Sequence, residues 1–208
     1  MARVLAKKIS FLLSFLFNYN IVKYYNFFVN SIYSYSVKRT FKYCGTNTYI
    51  EAPIYLLGGK YITVGNDFYC FKRLRLEAYE KHKGNLFNPE IVIGNNVSIN
   101  YDCHIGCINK IHIGNNVLLG SKVFITDHYH GKTDCVEEFD IPVNKRKLIS
   151  KGSVIIEDNV WVGEGVAIMP NVTIGKNSII GANSVVTKNF PENSIIAGAP
   201  AKLIKTIL

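Results

Sequence analysis

The sequence predicts a mainly β protein that winds as a parallel β-helix with short sides, and two periodic features predict it. An isoleucine, leucine or valine recurs every six residues in runs that begin at Ile93, Ile113 and Ile156. A small or β-branched residue follows four places later in these units, as at Val97 and Val160. Neither an α-helix nor a flat strand repeats every six residues. A coil with three sides does, because each side needs one inward aliphatic residue and one turn.

Grouping the units by threes predicts about six coils, at residues 44–63, 64–81, 93–112, 113–130, 156–173 and 174–191. The departures from the repeat follow the same side of the prism each time, at residues 56–63, 82–92, 105–112 and 131–155. One edge of the solenoid should therefore carry the loops, including one long protruding loop over 131–155, and a binding site is expected there. Asn-Asn and Asp-Asn pairs such as Asn95-Asn96 and Asp158-Asn159 fit corners, because these residues tolerate left-handed backbone angles.

The net charge of +9 is concentrated at the N-terminus. Residues 1–50 hold seven Lys or Arg and no acid, whereas the remaining 158 residues carry 17 Lys or Arg against 15 Asp or Glu. This distribution does not indicate nucleic-acid binding. A basic, aromatic N-terminal segment is more typical of contact with a membrane surface or an anionic partner.

Residues 1–42 are predicted to form an amphipathic helical segment, and residues 43–208 the β-helix domain with loop 131–155 and a C-terminal tail. Polar residues recur at multiples of four and would form one stripe on a helix: Ser10, Ser14, Asn18, Asn26, Asn30 and Ser34. No run reaches the roughly 18 apolar residues of a membrane span, and no small-residue cleavage site follows. Two roles remain open for residues 1–36: packing against the solenoid end or between subunits, and lying on a bilayer.

The titratable residues indicate proton-transfer chemistry and no metal. His128 and His130 lie at the base of the long loop, two residues apart, so on a strand both face one way. The other three histidines are interpreted as surface residues: His82, His104 and His112. The five cysteines contain no C-x-x-C, which favours buried thiols in a reducing cytoplasm over disulfides or zinc.

Three segments carry a resemblance to a known family: V-W-V-G from Val160, V-V-T-K from Val185 and A-G-A-P-A-K-L-I from Ala197. With the repeat around them, they resemble the hexapeptide-repeat acetyltransferases, in the branch of galactoside, maltose and polysaccharide O-acetyltransferases. The resemblance covers at least residues 91–205. It implies a left-handed β-helix, a homotrimer with active sites between subunits, and acetyl-CoA as the donor.

The resemblance also assigns residues to roles. It implies His130 as the catalytic base, which removes the proton of an acceptor hydroxyl. It implies contacts at the active site for Asn100 and Trp161. Asp127 and His128, at the base of the long loop, are expected to bind the acceptor as well. It implies contacts with acetyl-CoA at six positions: Glu164, Ala182, Thr187, Lys188, Lys202 and Lys205. The lysines suit the phosphate charges of coenzyme A.

The function expected from these features is acetyl-CoA-dependent O-acetylation of a sugar hydroxyl during synthesis of a capsule, exopolysaccharide or lipopolysaccharide. The enzyme would be cytoplasmic, at the inner face of the membrane where residues 1–36 contact it. The alternatives are N-acetylation of an amino sugar, acetylation of serine, a metal-dependent β-helix hydratase, and a trimeric scaffold without activity. The histidine spacings do not match the hydratase pattern of two histidines five residues apart, so no metal is expected.

Overall fold

The computed structural model describes residues 2–16, 18–132 and 134–207, most of which form a left-handed parallel β-helix. Three parallel sheets, here named A, B and C in the order in which the chain visits them, form the sides of a prism. Each of the six predicted coils contributes one strand to each sheet, so the predicted fold class is confirmed.

The strands are short, and their order within each sheet follows the chain. Sheet A contains β1 (Tyr43–Cys44), β4 (Ile62–Val64), β9 (Glu90–Ile93), β12 (Lys110–Ile113), β17 (Val154–Ile156) and β20 (Thr173–Ile174). Sheet B contains β2 (Tyr49–Ile50), β5 (Tyr69–Cys70), β10 (Ser98–Ile99), β13 (Leu118–Leu119), β18 (Trp161–Val162), β21 (Ile179–Ile180), β23 (Ser194–Gly198) and β24 (Ala201–Thr206). Sheet C contains β3 (Tyr55–Leu57), β6 (Arg75–Ala78), β11 (His104–Cys107), β14 (Phe124–Thr126), β19 (Ala167–Ile168) and β22 (Val185–Val186).

Two helices precede the coils, α1 (Ala2–Ser14) and α2 (Tyr19–Lys38). Two antiparallel hairpins lie outside the sheets, β7 (Lys81–His82) with β8 (Asn85–Leu86) and β15 (His128–His130) with β16 (Leu148–Ser150). Short 3-10 turns occur at Gly59–Tyr61, Val136–Asp140 and Val143–Lys145. Strand β24 is antiparallel to β23 and ends the solenoid.

The six-residue repeat forms the hydrophobic core, as the sequence predicts. Its aliphatic positions are at most 1% exposed: Ile93, Ile99, Ile105, Ile113, Leu119, Ile125, Ile156, Val162, Ile168, Ile174, Ile180 and Val186. The small positions between them, from Val97 to Ser184, are buried as well. Each such aliphatic side chain contributes about 1.5–3 kcal/mol relative to an exposed one, so the stacked coils form a rigid prism.

Asparagines at the corner between sheets A and B form a ladder along the prism. Their backbone φ angles lie between 54° and 60°, the left-handed corner conformation that the sequence predicts. Each side-chain amide donates to the carbonyl oxygen of the next, in the order Asn96, Asn116, Asn159, Asn177 and Asn193, at 2.9–3.0 Å.

All the loops leave the solenoid at the corner between sheets C and A, which confirms the prediction that one edge carries them. The β7–β8 hairpin follows the second coil there, and the long loop follows the fourth. The long excursion begins at β15, three residues before the predicted start at 131, because residues 128–130 pair with β16. Because β15 pairs with β16, both His128 and His130 lie on a strand at the base of the loop.

Helix α2 covers the exposed edge of sheet B with its polar stripe, together with Val37 and Tyr33, which pack against the core, and Phe27, which stacks on Tyr49. The Ser34 hydroxyl accepts from the Ile50 amide at 2.7 Å, and Asn30 Oδ1 accepts from the Ala52 amide at 3.1 Å. Ser34 and Asn30 are buried by this contact. The edge strand β2 thereby gains partners for backbone groups that a sheet edge leaves unpaired.

Most other apolar residues of both helices face away from the solenoid. Those at least 60% exposed are Val4, Leu5, Phe11, Leu12, Phe15, Leu16, Tyr19, Ile21, Tyr24, Tyr25, Phe28 and Tyr35. Neither helix is long and apolar enough, over its described residues, to cross a membrane. Helix α2 therefore does pack on the solenoid end, while most of the apolar side chains that the structure describes in α1 and α2 stay exposed. Contact of residues 1–36 with a bilayer stays a prediction. The division between residues 42 and 43 as a domain boundary stays a prediction.

Candidate active site

A fully buried carboxylate stands where the fourth coil gives way to the long loop. Asp127 follows β14, and its Oδ2 accepts from the Asn109 amide at 2.7 Å while Oδ1 accepts from the Ile108 amide at 2.9 Å. The Cys107 thiol also donates to Oδ2, at 3.2 Å. Burial raises the pKa of Asp127, but hydrogen bonds from His128, these amides and the thiol more than offset it, so the pKa is lowered.

His128 is oriented by this carboxylate. Its Nδ1 lies 3.0 Å from Asp127 Oδ1 and 3.2 Å from Thr126 Oγ1, and its side chain is only 11% exposed. Because an ionised carboxylate can only accept, Nδ1 carries a proton, and the lone pair of the neutral imidazole is then on Nε2. Asp127 stays a predicted acceptor contact, while its carboxylate is fully buried in this chain and orients His128.

His130 lies at the outer end of the same strand and is exposed. Its ring is 6.3 Å from the ring of His82, on the neighbouring hairpin. Among the described residues, no hydrogen bond reaches the His130 ring. Partial burial, and then the proximity of His128 and Lys83, lower the pKa of His130. The two histidines are thus unequal: one has a buried carboxylate partner, and the other does not.

A second buried carboxylate lies on the outer face of sheet C, beside His128. Glu77 is 2% exposed, and its Oε2 contacts His104 Nε2 at 2.8 Å and Arg75 Nε at 2.7 Å. Burial, followed by a hydrogen bond to Glu77, raises the pKa of Tyr79 to about 12, so this phenol stays protonated as a donor. His104 is therefore not the unoccupied surface residue that the sequence suggests, and burial lowers its pKa although Glu77 opposes this.

Gly106 separates the two imidazoles. A methyl group at this position would lie 3.4 Å from His128 Cε1 and 3.5 Å from His104 Nε2. The space above Gly106 is thus bounded by one histidine on each side, each with its own buried carboxylate. Glu77, Gly106 and Cys107 carry no motif in the sequence. Only the coil-to-coil register, which pairs Glu77 with Gly106 and Gly106 with Thr126, brings them together.

The other predicted acceptor residues lie elsewhere on the prism. Trp161 is on β18 in sheet B, points outward and is 52% exposed. Asn100 follows β10 at the corner between sheets B and C. His128 leaves the opposite corner, between sheets C and A. Within one protomer, Trp161 and His128 are therefore on different sides of the solenoid.

The residues predicted to bind acetyl-CoA lie in the last two coils and the C-terminal tail. Glu164 and Ala182 stack at the corner between sheets B and C, where the Asn183 amide donates to the Glu164 carbonyl at 2.8 Å. Thr187 and Lys188 follow β22, while Lys202 and Lys205 are exposed on β24. Cationic side chains on an open edge are compatible with a polyphosphate ligand. In the described parts of the chain, no three His, Cys, Asp or Glu side chains are grouped to hold a metal.

Comparisons with known proteins agree with this architecture. The family model "Bacterial transferase hexapeptide (six repeats)" matches residues 153–188. The chain is 40% identical over 159 residues to WbbJ of Escherichia coli (strain K12), named as a lipopolysaccharide biosynthesis O-acetyl transferase, covering 75% of this chain and 77% of that protein.

Two solved structures are also similar. A maltose O-acetyltransferase from Clostridium difficile 630 is 31% identical with a TM-score of 0.53, covering 83% of this chain and 73% of its own. A galactoside acetyltransferase in complex with coenzyme A is 29% identical with a TM-score of 0.52, covering 83% of this chain and 68% of its own. The fold and the site define an acyltransferase. The chain belongs to the hexapeptide-repeat acetyltransferase family, in the branch that contains these O-acetyltransferases.

Proposed function

We propose that the protein transfers an acetyl group from acetyl-CoA to a hydroxyl of a sugar during synthesis of a cell-surface polysaccharide. Membership of the O-acetyltransferase branch supports the reaction, and the likeness to WbbJ supports the pathway class. The observation that carries the proposal is the Asp127–His128 pair, in which a buried carboxylate leaves Nε2 of the imidazole free to accept a proton.

The proposed base is His128, with Asp127 as its positioning residue. His128 Nε2 takes the proton of the acceptor hydroxyl while that oxygen attacks the thioester carbonyl carbon. The carbon–sulfur bond then breaks, the oxygen keeps the acetyl group, and the thiolate of coenzyme A takes the proton from the imidazolium. A positioned base of this kind contributes about 10²–10⁴-fold to the rate. No covalent enzyme intermediate is needed.

His130 stays a candidate for this role, and matched variants separate the two histidines. We expect His128→Ala to lower acceptor-dependent thiol release from acetyl-CoA by about 10²-fold or more, while His130→Ala retains most of the activity. His112→Ala, on sheet A, is the control. The opposite result would return the role to His130, and wild-type rates in both variants would reject a histidine base at this loop.

We propose the predicted coenzyme A contacts without change: backbone at Glu164 and Ala182, with Thr187, Lys188, Lys202 and Lys205. The exposure of the lysines on the tail supports phosphate binding. These lysines present point charges, so no bidentate pairing of the arginine type is available.

We further propose a homotrimer with active sites between subunits, in which Asn100 and Trp161 contact the acceptor. The support is geometric: Trp161 and His128 are on different sides of one solenoid, so they can share a site only if a second protomer supplies one of them. A flat indole suits a sugar face or the pantetheine arm.

The proposed location is the cytoplasm, with peripheral contact at the inner face of the membrane through residues 1–36. The outward apolar faces of α1 and α2 support this contact, as does the excess of basic residues in residues 1–50. Amphipathic helices of this composition bind anionic bilayers through buried apolar area and charge. No nucleic-acid partner is proposed, since the rest of the chain is close to neutral.

A further inference from the structure

Four side chains form a continuous column on the outer face of sheet C. The strand register pairs Tyr55 with Arg75, Arg75 with His104, and His104 with Phe124. Strands in neighbouring coils are about 4.8 Å apart, so the three intervals extend about 14 Å along the prism. The column runs from the fourth coil towards the N-terminal end.

The members of this column hold one another in place. The Arg75 guanidinium lies 5.9 Å from the centre of the Tyr55 ring, and the rings of His104 and Phe124 are 5.2 Å apart. Buried Glu77 contacts both Arg75 and His104 through Oε2 and holds them in place. Tyr55 is exposed, and Arg75 keeps about half of its side chain in solvent. The column is therefore accessible and already ordered, which reduces the entropy lost when a ligand binds.

The column is continuous with the proposed reaction centre. Gly106 is buried, and a Cβ there would touch both His128 and His104, so the two imidazoles are near neighbours with only a glycine between them. A molecule whose reacting hydroxyl sits at His128 Nε2 therefore meets His104, the nearest member of the column, next. A single sugar ring would occupy only the part next to the histidines.

We infer that this column binds an oligosaccharide acceptor, with sugar rings beyond the acetylated one lying along Phe124, His104, Arg75 and Tyr55. Aromatic side chains offer flat apolar surfaces to sugar rings, and Arg75 and His104 offer polar groups to their hydroxyls or to an acidic sugar. The inference rests on the proposed function. It adds the substrate class: a chain of sugars, not a free monosaccharide.

In the test, the acceptor substrate is the surface polysaccharide of the cell that produces the enzyme. Mild base removes its acetyl esters, and partial acid hydrolysis followed by sizing gives monosaccharides and fragments of four or more rings. The measured quantity is the ratio of kcat/KM for long fragments to kcat/KM for monosaccharides, from thiol release with acetyl-CoA. We expect wild type to favour long fragments, and Tyr55→Ala to reduce this ratio about 5- to 10-fold, in line with the loss of an aromatic contact.

Tyr43→Ala is the matched control, because Tyr43 is in the same coil, on sheet A, and is 58% exposed like Tyr55. It should leave the ratio unchanged. His104→Gln should raise KM for long fragments more than it lowers kcat, without changing the affinity for coenzyme A. The control His112→Gln should change neither KM nor kcat. A wild-type rate independent of fragment length, or an unchanged ratio in Tyr55→Ala, overturns the inference and leaves the proposed function intact. Absence of thiol release with every fraction overturns the proposed function itself.

Discussion

At the scale of single residues, the Asp127 carboxylate has two effects that can be measured separately. It fixes the tautomer of His128, and it accepts hydrogen bonds from the Ile108 and Asn109 amides. We expect Asp127→Asn to lower kcat by up to about 10⁴-fold, the loss seen when a base of this kind is held in the wrong tautomer. Asp67→Asn, at an exposed corner of the second coil, is the control, and unchanged coenzyme A binding would verify the fold.

The same residue should affect stability at acid pH. Its folded pKa is lowered from the ordinary 3.8, so its ionised form contributes stability above pH 3.8 and loses it as the pH falls through the lowered value. Asp127→Asn removes this contribution, so the free energy of unfolding should depend less on pH in that acid range. Urea unfolding at several pH values measures this, and an unchanged acid dependence would contradict it.

At the scale of elements, helix α2 is unusual because polar side chains, Asn30 and Ser34, are among its buried residues. The sequence shows that the polar residues of α2 lie on one side of the helix, but not which surface that side contacts. The partners of Asn30 and Ser34 are the backbone amides of Ala52, just after β2, and Ile50, within β2, and the spacing of polar residues along α2 contains no information about them. The coils, in contrast, could be predicted, because each aliphatic position is repeated locally. Of the site, the histidine pair could be located from the loop base, whereas Glu77 and Gly106 depend on register between distant coils.

The outward face of the helices yields a prediction about membrane binding. Phe15→Ser combined with Leu16→Ser should reduce co-sedimentation with phosphatidylglycerol-containing vesicles several-fold, and added salt should weaken wild-type binding. Tyr43→Ser, on sheet A, is the control with a similarly exposed ring. If the double variant instead lowers the mass of the assembly without vesicles and leaves vesicle binding unchanged, a second copy of the chain covers this face.

At the scale of the whole molecule, the separation of His128 from Trp161 predicts complementation between inactive chains. Chains with His128→Ala and chains with Trp161→Ala should each be inactive as uniform assemblies. Co-expressed with different tags and purified through both, they should regain part of the wild-type activity, because some interfaces pair an intact His128 with an intact Trp161. Mixed assemblies as inactive as either parent would place both residues in sites made by one chain.

The asparagine ladder has a consequence for how such a chain can change in length. Every bond in it points the same way, from Asn96 towards Asn193, so the three interior residues, Asn116, Asn159 and Asn177, both donate and accept with one fixed polarity. An insertion shorter than one full turn of the solenoid would put another residue type at the next rung and interrupt this polarity. Insertions and deletions should therefore add or remove whole turns of the solenoid, or fall in loops at the corner between sheets C and A. That corner lies away from the ladder and contains the proposed reaction centre.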